Sequence, residues 1–184
     1  MPDTAHTNHI TTAFYGLADP NMFYKGIQTA INQVSSQGLF TGDNLFTFGR
    51  NLSFLEDAKF MEAFEKHTET VIEKSILWRS YILSWAVKRA MNLPGDFAEC
   101  GCYRGISARI LCDYVDFGAS DKTFYLYDLF EHDEDMSHHA MPAHSTDLYE
   151  EVCARFADMP NVKVTQGAVP ASLDQLEPPG DIAF

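Results

Sequence analysis

The spacing of hydrophobic residues divides the chain into a helical first part and a second part in which strands and helices alternate. Helical periodicity predicts one helix over residues 21–37, a short one over Asp57–His67 and a longer one from about Thr70 to Met91. In the longest of these, Trp78 and Trp85 are two turns apart and share a face. We therefore interpret both tryptophan rings as core.

Two stretches of the first part show no helical period. Residues 1 to about 20 predict a mobile arm, or an arm that is ordered against a partner subunit. Residues 39–51 are rich in aromatic residues and interrupted by glycine, which is typical either of a lid that closes on a ligand or of a satellite core. The sequence therefore predicts a helical N-terminal region and lid over residues 1–92.

Beyond Pro94-Gly95, short apolar runs that end on polar residues alternate with helical patterns. The predicted elements are, in order, strand 96–100, helix 107–117, strand 123–128, helix 148–157 and strand 161–166. Asp181–Phe184 has the composition of a fourth parallel strand at its beginning. The alternation predicts an α/β fold over residues 93–184, a Rossmann-like doubly wound parallel sheet.

A strand, a tight turn and a helix are predicted for residues 95–107, GDFAECGCYRGIS. Dinucleotide-binding turns read G-x-G-x-x-G, because the middle glycine lets a pyrophosphate approach the helix N-terminus. Tyr103 stands at that position, so a nicotinamide or flavin dinucleotide is disfavoured. Gly101 can supply the positive φ of a sharp turn, and Gly105 can let the helix approach the strand or a ligand closely. The pocket suits a smaller nucleoside without phosphates.

A second acidic residue supports a nucleoside site. The apolar run 123–127 ends on Asp128. A carboxylate at the C-terminal end of the neighbouring parallel strand is the usual partner of two ribose hydroxyls. We therefore expect Glu99 and Asp128 to face one crevice.

Composition and charge limit the class of protein. The chain has 184 residues, of which 46% are hydrophobic and 13% aromatic, as in globular proteins. Its 13 basic and 26 acidic residues give a formal net charge of -13, and such a field repels DNA and RNA. The sequence contains no membrane-spanning apolar stretch and no signal-peptide pattern, so we expect a cytoplasmic protein that binds neither nucleic acid nor membrane.

Cysteine and histidine residues offer weaker candidates for chemistry. The four cysteines lack a metal-type C-x-x-C spacing and are interpreted as buried, reduced thiols: Cys100, Cys102, Cys112 and Cys153. The connection 131–146 is rich in acidic residues and histidines, namely His132, Asp133, Glu134, Asp135, His138, His139 and His144. This connection could bind a transition metal, but a solvated acidic loop over the crevice, or a loop that contacts substrate, fits its spacing better.

The strand-turn-helix segment and the run Tyr127-Asp128-Leu129-Phe130-Glu131 together resemble the macrocin O-methyltransferase family of class I S-adenosylmethionine-dependent methyltransferases. In that family a strand ending E-C-G is followed by an aromatic residue, an arginine and a glycine, and the second strand ends D-x-F-E. The resemblance extends upstream through residues 51–55 and Trp78-Arg79, and downstream to Gly167, so it covers most of the chain.

The resemblance implies a binding site for S-adenosyl-L-methionine. Glu99, Gly101 and Gly105 would line the methionine end, Asp128 would hold the ribose, and Gly167 would lie near the adenine. The candidate cofactor-binding residues are completed by Tyr103, Arg104, Ser107 and Leu129. The family would supply a divalent metal such as magnesium from an acidic cluster beyond residue 184, so we expect the chain to be a fragment of a longer enzyme and assign no catalytic residue and no metal ligand.

The leading hypothesis is therefore an O-methyltransferase that acts on a hydroxyl of a small molecule, a sugar or a secondary metabolite. One alternative is a non-catalytic, truncated domain that binds S-adenosylmethionine or a partner. A weaker alternative is an NAD-dependent oxidoreductase, against which Tyr103 argues. A homodimer is compatible with each of them.

Overall fold

A computed structural model describes residues 8–35, 37–132, 136, 141–175 and 180–184. The chain divides into two compact units, Met1–Tyr81 and Ile82–Phe184. The helices are α1 (Pro20–Gln33), α2 (Ala58–His67), α3 (Val71–Ser75), α4 (Leu77–Ala90), α5 (Ile106–Val115) and α6 (Leu148–Arg155). The strands are β1 (His9–Ile10), β2 (Phe40–Gly42), β3 (Leu45–Thr47), β4 (Phe97–Cys100), β5 (Phe124–Asp128) and β6 (Val162–Gln166).

The first unit contains a small sheet that the hydrophobic pattern did not predict. Strand β1 pairs parallel with β2, and β2 pairs antiparallel with β3. The hairpin between β2 and β3 turns on Asp43 and Asn44, both with positive φ (51° and 59°), which these two residue types tolerate better than most. The prediction of a mobile or partner-ordered arm is therefore wrong for His9–Ile10, which form a strand within their own chain.

The aromatic residues of this unit form a core next to the hairpin. Phe40 is fully buried, and the Trp78 ring centroid lies 5.2 Å from that of Phe40 and 5.4 Å from that of Phe54. Phe48 remains 54% exposed. The satellite-core interpretation of residues 39–51 thus holds for Phe40, and the lid stays a prediction.

The long helix predicted from Thr70 to Met91 is two helices. The first, α3, begins with a capping box in which the Thr70 and Glu73 side chains accept each other's backbone N–H groups, and it ends at Ser75, with Ile76 as the C-cap. In α4, Trp78 is half-buried and packs against Phe40 and Phe54, but Trp85 is 57% exposed, so the prediction that both rings are core is wrong for Trp85. Periodicity places two residues on one face of a helix but does not say how far along the helix that face is covered.

The second unit is built on a parallel sheet with strand order β4-β5-β6. Residues 181–184 extend this sheet on the other side of β4, since Asp96 bridges Ile182 in parallel and Ala98 N donates to Phe184 O at 2.9 Å. Strand β4 therefore has one neighbour that follows it directly and another that comes last in the chain. This reversal of strand order is the switch point of a doubly wound sheet, which confirms the predicted Rossmann-like α/β fold.

Helices α5 and α6 cover the sheet, and the buried Arg109 joins α5 to the end of α6 and to Asp158 just beyond it. Arg109 on α5 donates from Nη2 to Asp158 Oδ2 at 2.8 Å and from Nη1 to the Arg155 carbonyl at 2.6 Å. The Arg109 Nε also donates to Asp113 at 3.1 Å. These partners satisfy an arginine that is only 7% exposed and fix the end of α6 against α5.

Burial divides the cysteines into two pairs. Cys102 and Cys112 are buried, as predicted, and burial raises the pKa of Cys112 to about 12. Cys100 is exposed because it is the last residue of β4, where the chain leaves the covered sheet, and Cys153 is half-buried. The prediction of burial is thus wrong for Cys100.

None of the helices in the described ranges has both the length and the apolar character needed to span a bilayer.

Candidate functional site

The candidate site lies where β4 and β5 end, beside the switch point of the sheet. Parallel pairing aligns Glu99 with Leu126 and Cys100 with Tyr127, so the turn after β4 begins level with the end of β5. Gly101 makes this turn at φ 84° and donates its N–H to Tyr127 O at 2.7 Å. No described residue lies within 4 Å of the place that a Cβ would take at Gly101. The turn therefore leaves open space at the C-terminal ends of the strands, where ligands bind in this class of fold.

Asp128 ties the turns after the two strands together. Its Oδ2 accepts the backbone N–H of Tyr103 at 2.6 Å, and its Oδ1 accepts the N–H of Phe130 at 2.8 Å. Both donors have positive φ (51° for Tyr103, 61° for Phe130), a conformation that costs non-glycine residues energy. Each carboxylate oxygen has a second acceptor position, so Asp128 can hold the two turns and also accept hydroxyl groups.

Glu99 is a half-buried carboxylate with an unusual proton affinity. Burial, and secondarily repulsion by Asp128, raise the pKa of Glu99 from 4.5 to about 7. No described residue donates a hydrogen bond to this carboxylate or forms an ion pair with it. A carboxylate in this environment favours a cationic ligand, because a positive charge would offset both causes of the shift.

Tyr103 connects the turn after β4 to the segment before α6. Its phenol oxygen accepts the N–H of Ala143 at 2.6 Å, and its ring contacts that of His144 edge-on at 5.4 Å. The Tyr103 N–H is occupied by Asp128, so it is not available for a pyrophosphate. The backbone of Tyr103, as well as its ring, therefore disfavours a dinucleotide at this position.

Gly105 has a packing role that the sequence did not specify. It is buried at φ 66° where α5 begins, and a Cβ there would lie 2.9 Å from Cε2 of Phe156 and 3.3 Å from Cγ1 of Val152. The close approach that the glycine permits is therefore between α5 and α6.

Replacing Gly105 by alanine is expected to lower the free energy of unfolding by about 2–4 kcal/mol, from left-handed strain and overpacking together. Chemical denaturation would measure the change. Gly118→Ala is the matched control, because its Cβ would meet only Met159 Cγ at an ordinary 3.4 Å. Equal stability of the two variants would contradict the packing role of Gly105.

The remaining predicted site residues lie around the same strand ends. Arg104 and Ser107 are half-buried at the beginning of α5. The Leu129 carbonyl accepts from Gln166 Nε2 at 3.2 Å, and Gly167 N donates to the Asp128 carbonyl at 2.9 Å. The structure thus places all nine predicted residues at, or just beyond, the C-terminal ends of β4, β5 and β6. Their roles in binding stay predictions.

The histidine-rich connection is described only in part. His132 and His144 stack with ring centroids 6.2 Å apart. The other residues proposed there, Asp133, Glu134, Asp135, His138 and His139, lie outside the described residues. Among the residues that the structure describes, no three histidine, cysteine or acidic side chains group so that they could hold a metal ion. The described residues therefore offer no set of ligands that fits a magnesium ion.

Sequence reasoning missed two contributors to the site. Phe130 is fully buried and holds its strained backbone through Asp128, in the turn that an aspartate makes with the N–H two residues ahead. The aspartate two residues before Phe130 was the available signal. The contact of Ala143 with Tyr103 joins residues 40 positions apart and has no local signal in the sequence.

A second cleft, of about 400 Å³, lies at the opposite end of the sheet. It is lined by Met91, Asn92, Leu93, Pro94, Gly95, Asp96, Asp121, Lys122, Gly180 and Asp181. Lys122 donates there to the Leu93 and Gly95 carbonyls, and Asp96 accepts the N–H of Thr123 at 2.8 Å. These hydrogen bonds hold together the loops that precede β4 and β5. The polar groups that line the cleft therefore have a structural role.

Fold and site together define a Rossmann-like α/β domain with paired carboxylates at its switch point. The solved structure of the O-methyltransferase NovP is similar to this chain at 22% sequence identity, over 51% of this chain and 46% of that one, with a TM-score of 0.38. The chain thus spans less than half of the length of that structure. No protein-family model matches the chain. No curated protein matches it either.

Proposed function

We propose that this chain carries the cofactor-binding half of an S-adenosyl-L-methionine-dependent O-methyltransferase that acts on a hydroxyl of a small molecule. The observation that carries the proposal is the placement of Glu99 and Asp128 at the ends of neighbouring parallel strands, on either side of the open Gly101 turn. The resemblance to the macrocin O-methyltransferase family supports the same interpretation.

The two carboxylates suit different parts of the cofactor. Glu99 lacks a partner among the described residues and would accept the cationic amino group of the methionine end. Asp128 has an acceptor position left on each oxygen and would accept the two ribose hydroxyls. Near the third strand, Gly167 lies at φ 148° with Ser172 and Gln175 packed against it, and its turn would border the adenine.

When bound, the cofactor supplies a methyl group on a sulfonium sulfur. In the reaction class, the sulfur–methyl bond breaks, an oxygen–methyl bond forms, and the proton of the acceptor hydroxyl passes to a base. The described residues would bind and orient the cofactor and keep the turn at Tyr103 closed to a pyrophosphate. We assign no catalytic base to them.

Calorimetric titration of the 184-residue chain with S-adenosylhomocysteine is expected to give binding, with no binding of NAD. Far-UV circular dichroism and thermal unfolding would first show that the chain folds cooperatively. Binding of NAD in preference to S-adenosylhomocysteine would revive the oxidoreductase hypothesis. Binding of neither ligand by a folded chain would contradict the proposal.

A further inference from the structure

Tyr103 is hydrogen-bonded both through its backbone N–H and through its phenol oxygen. Its N–H is held by Asp128 at 2.6 Å, and its phenol oxygen accepts the N–H of Ala143 at 2.6 Å. The first contact belongs to the proposed ribose carboxylate, and the second belongs to the segment that leads into α6. One side chain therefore spans from the cofactor turn to a different loop.

The segment at the far end of Tyr103 is a compact turn of its own. His144 N donates to the Met141 carbonyl at 2.9 Å, and Met141 N donates to His144 Nδ1 at 3.1 Å. This reciprocal pair closes residues 141–144 into one hydrogen-bonded turn. Tyr103 contacts that turn twice, through Ala143 N and through the ring of His144.

The same turn lies at the end of the sheet where an acceptor would enter. It follows β5 in the chain, and the next residue, Ser145, donates its N–H to Phe130 O at 3.2 Å. Loops at the C-terminal ends of parallel strands line the ligand crevice in this class of fold. Residues 141–144 are therefore well placed to form a wall of the site on the side of Tyr103.

We propose that Tyr103 is a positioning residue that couples occupation of the cofactor site to the placement of the 141–144 turn. The inference rests on the proposed function. A ligand that binds Asp128 and the Gly101 turn restricts the Tyr103 backbone, because the same carboxylate holds its N–H. The restricted phenol then holds Ala143 more firmly, and by linkage a firmly held turn strengthens ligand binding by the same factor.

Hydrogen exchange at the Ala143 amide measures this coupling directly. In the wild-type chain, saturating S-adenosylhomocysteine is expected to slow exchange in peptides that cover residues 141–145. In Tyr103→Phe, which lacks the acceptor oxygen but keeps the ring, exchange of the unliganded chain is expected to be about three- to tenfold faster, the effect of one lost hydrogen bond. The ligand should no longer slow exchange in this variant.

Tyr125→Phe is the matched control, since it removes a hydroxyl from β5 in the same unit. The Tyr125 hydroxyl has no hydrogen-bonding partner among the described residues. This variant should exchange like the wild type, and the thermal midpoints of both variants would confirm that they fold. If Tyr103→Phe kept the wild-type exchange rate and the wild-type response to ligand, the inference would be overturned.

The two proposals fail in different ways. If wild-type chain does not bind S-adenosylhomocysteine, the proposed function and the coupling both fall, although the unliganded exchange rates still test the contact between Tyr103 and Ala143. If the wild type binds the ligand and Tyr103→Phe retains the full protective effect, only the coupling falls. Loss of protection in Tyr103→Phe, with a ligand affinity that falls by the same factor as the protection, supports it.

Discussion

Replacing Glu99 by glutamine is expected to stabilise the unliganded protein and, at the same time, to weaken its binding of S-adenosylhomocysteine. The pKa of Glu99 is raised from 4.5 to about 7, chiefly by burial and in addition by Asp128. Neutral glutamine has nearly the same shape and carries no charge that burial penalises. The two effects have opposite signs because they share one cause. The negative charge of the Glu99 carboxylate destabilises the free protein, and the same charge would attract a cationic ligand.

The pH dependence follows from the direction of the shift. Because the folded protein holds the Glu99 proton more tightly than the unfolded chain, the stabilising contribution of this group is fully present below pH 4.5 and is lost as the pH rises to about 7. A shift of this size corresponds to about 3 kcal/mol. The Glu99→Gln variant lacks this loss of stability. The difference in free energy of unfolding between this variant and the wild type should therefore grow from about pH 5 and level off near pH 8.

Urea denaturation at pH 5 and pH 8 measures the stability difference, and calorimetry at pH 8 measures the affinity. Losing one charge-assisted contact to the ligand should weaken binding about 10- to 100-fold. Glu151→Gln on α6 is the control, since that side chain is exposed and its replacement should change stability by less than about 0.5 kcal/mol. A Glu99→Gln variant that binds as well as the wild type would remove Glu99 from the site.

The sheet and its paired carboxylates were predictable because they depend on local patterns and one general rule. Apolar runs that end on Glu99-Cys100 and on Asp128 mark two strands, and a helix between them requires a parallel connection. Parallel strands end at the same edge, so the two carboxylates had to lie close together. Neither inference requires a contact between residues that are far apart in the sequence.

The small sheet of the first unit was missed because its strands are only two or three residues long. A period of two cannot be recognised in so few residues. One signal was available in Asp43-Asn44, residue types that tolerate the positive φ of a tight hairpin. The error for Trp85 has another cause, since the covering of a helix face is decided by distant elements.

The role of Tyr103 was predicted only as an obstacle to a pyrophosphate. Its positive φ is fixed by the Asp128 carboxylate 25 residues away, and its phenol oxygen by Ala143. Contacts of this kind depend on the register of the sheet and on where a loop returns. They cannot be read from the identity of a residue in a turn.

Asp128→Ala is expected to lower the free energy of unfolding by about 2–4 kcal/mol, because two backbone N–H groups lose a charged acceptor. The same donors, on Tyr103 and Phe130, keep left-handed conformations that Asp128 helps to maintain. Asp121→Ala is the control for the change of charge, since Asp121 is exposed just before β5. Urea denaturation of both variants should show a loss only in the first.

A structural role of this size means that loss of binding in Asp128→Ala does not by itself show a contact with ribose. The contact is tested by comparing S-adenosylhomocysteine with its 2′-deoxyribose analogue. The wild type should prefer the ribose form by about tenfold, as expected for one hydrogen bond to a charged group. Asp128→Asn keeps one acceptor oxygen for the backbone and should lose most of this preference. An unchanged preference in Asp128→Asn would assign Asp128 to holding the two turns and leave the ribose to other groups.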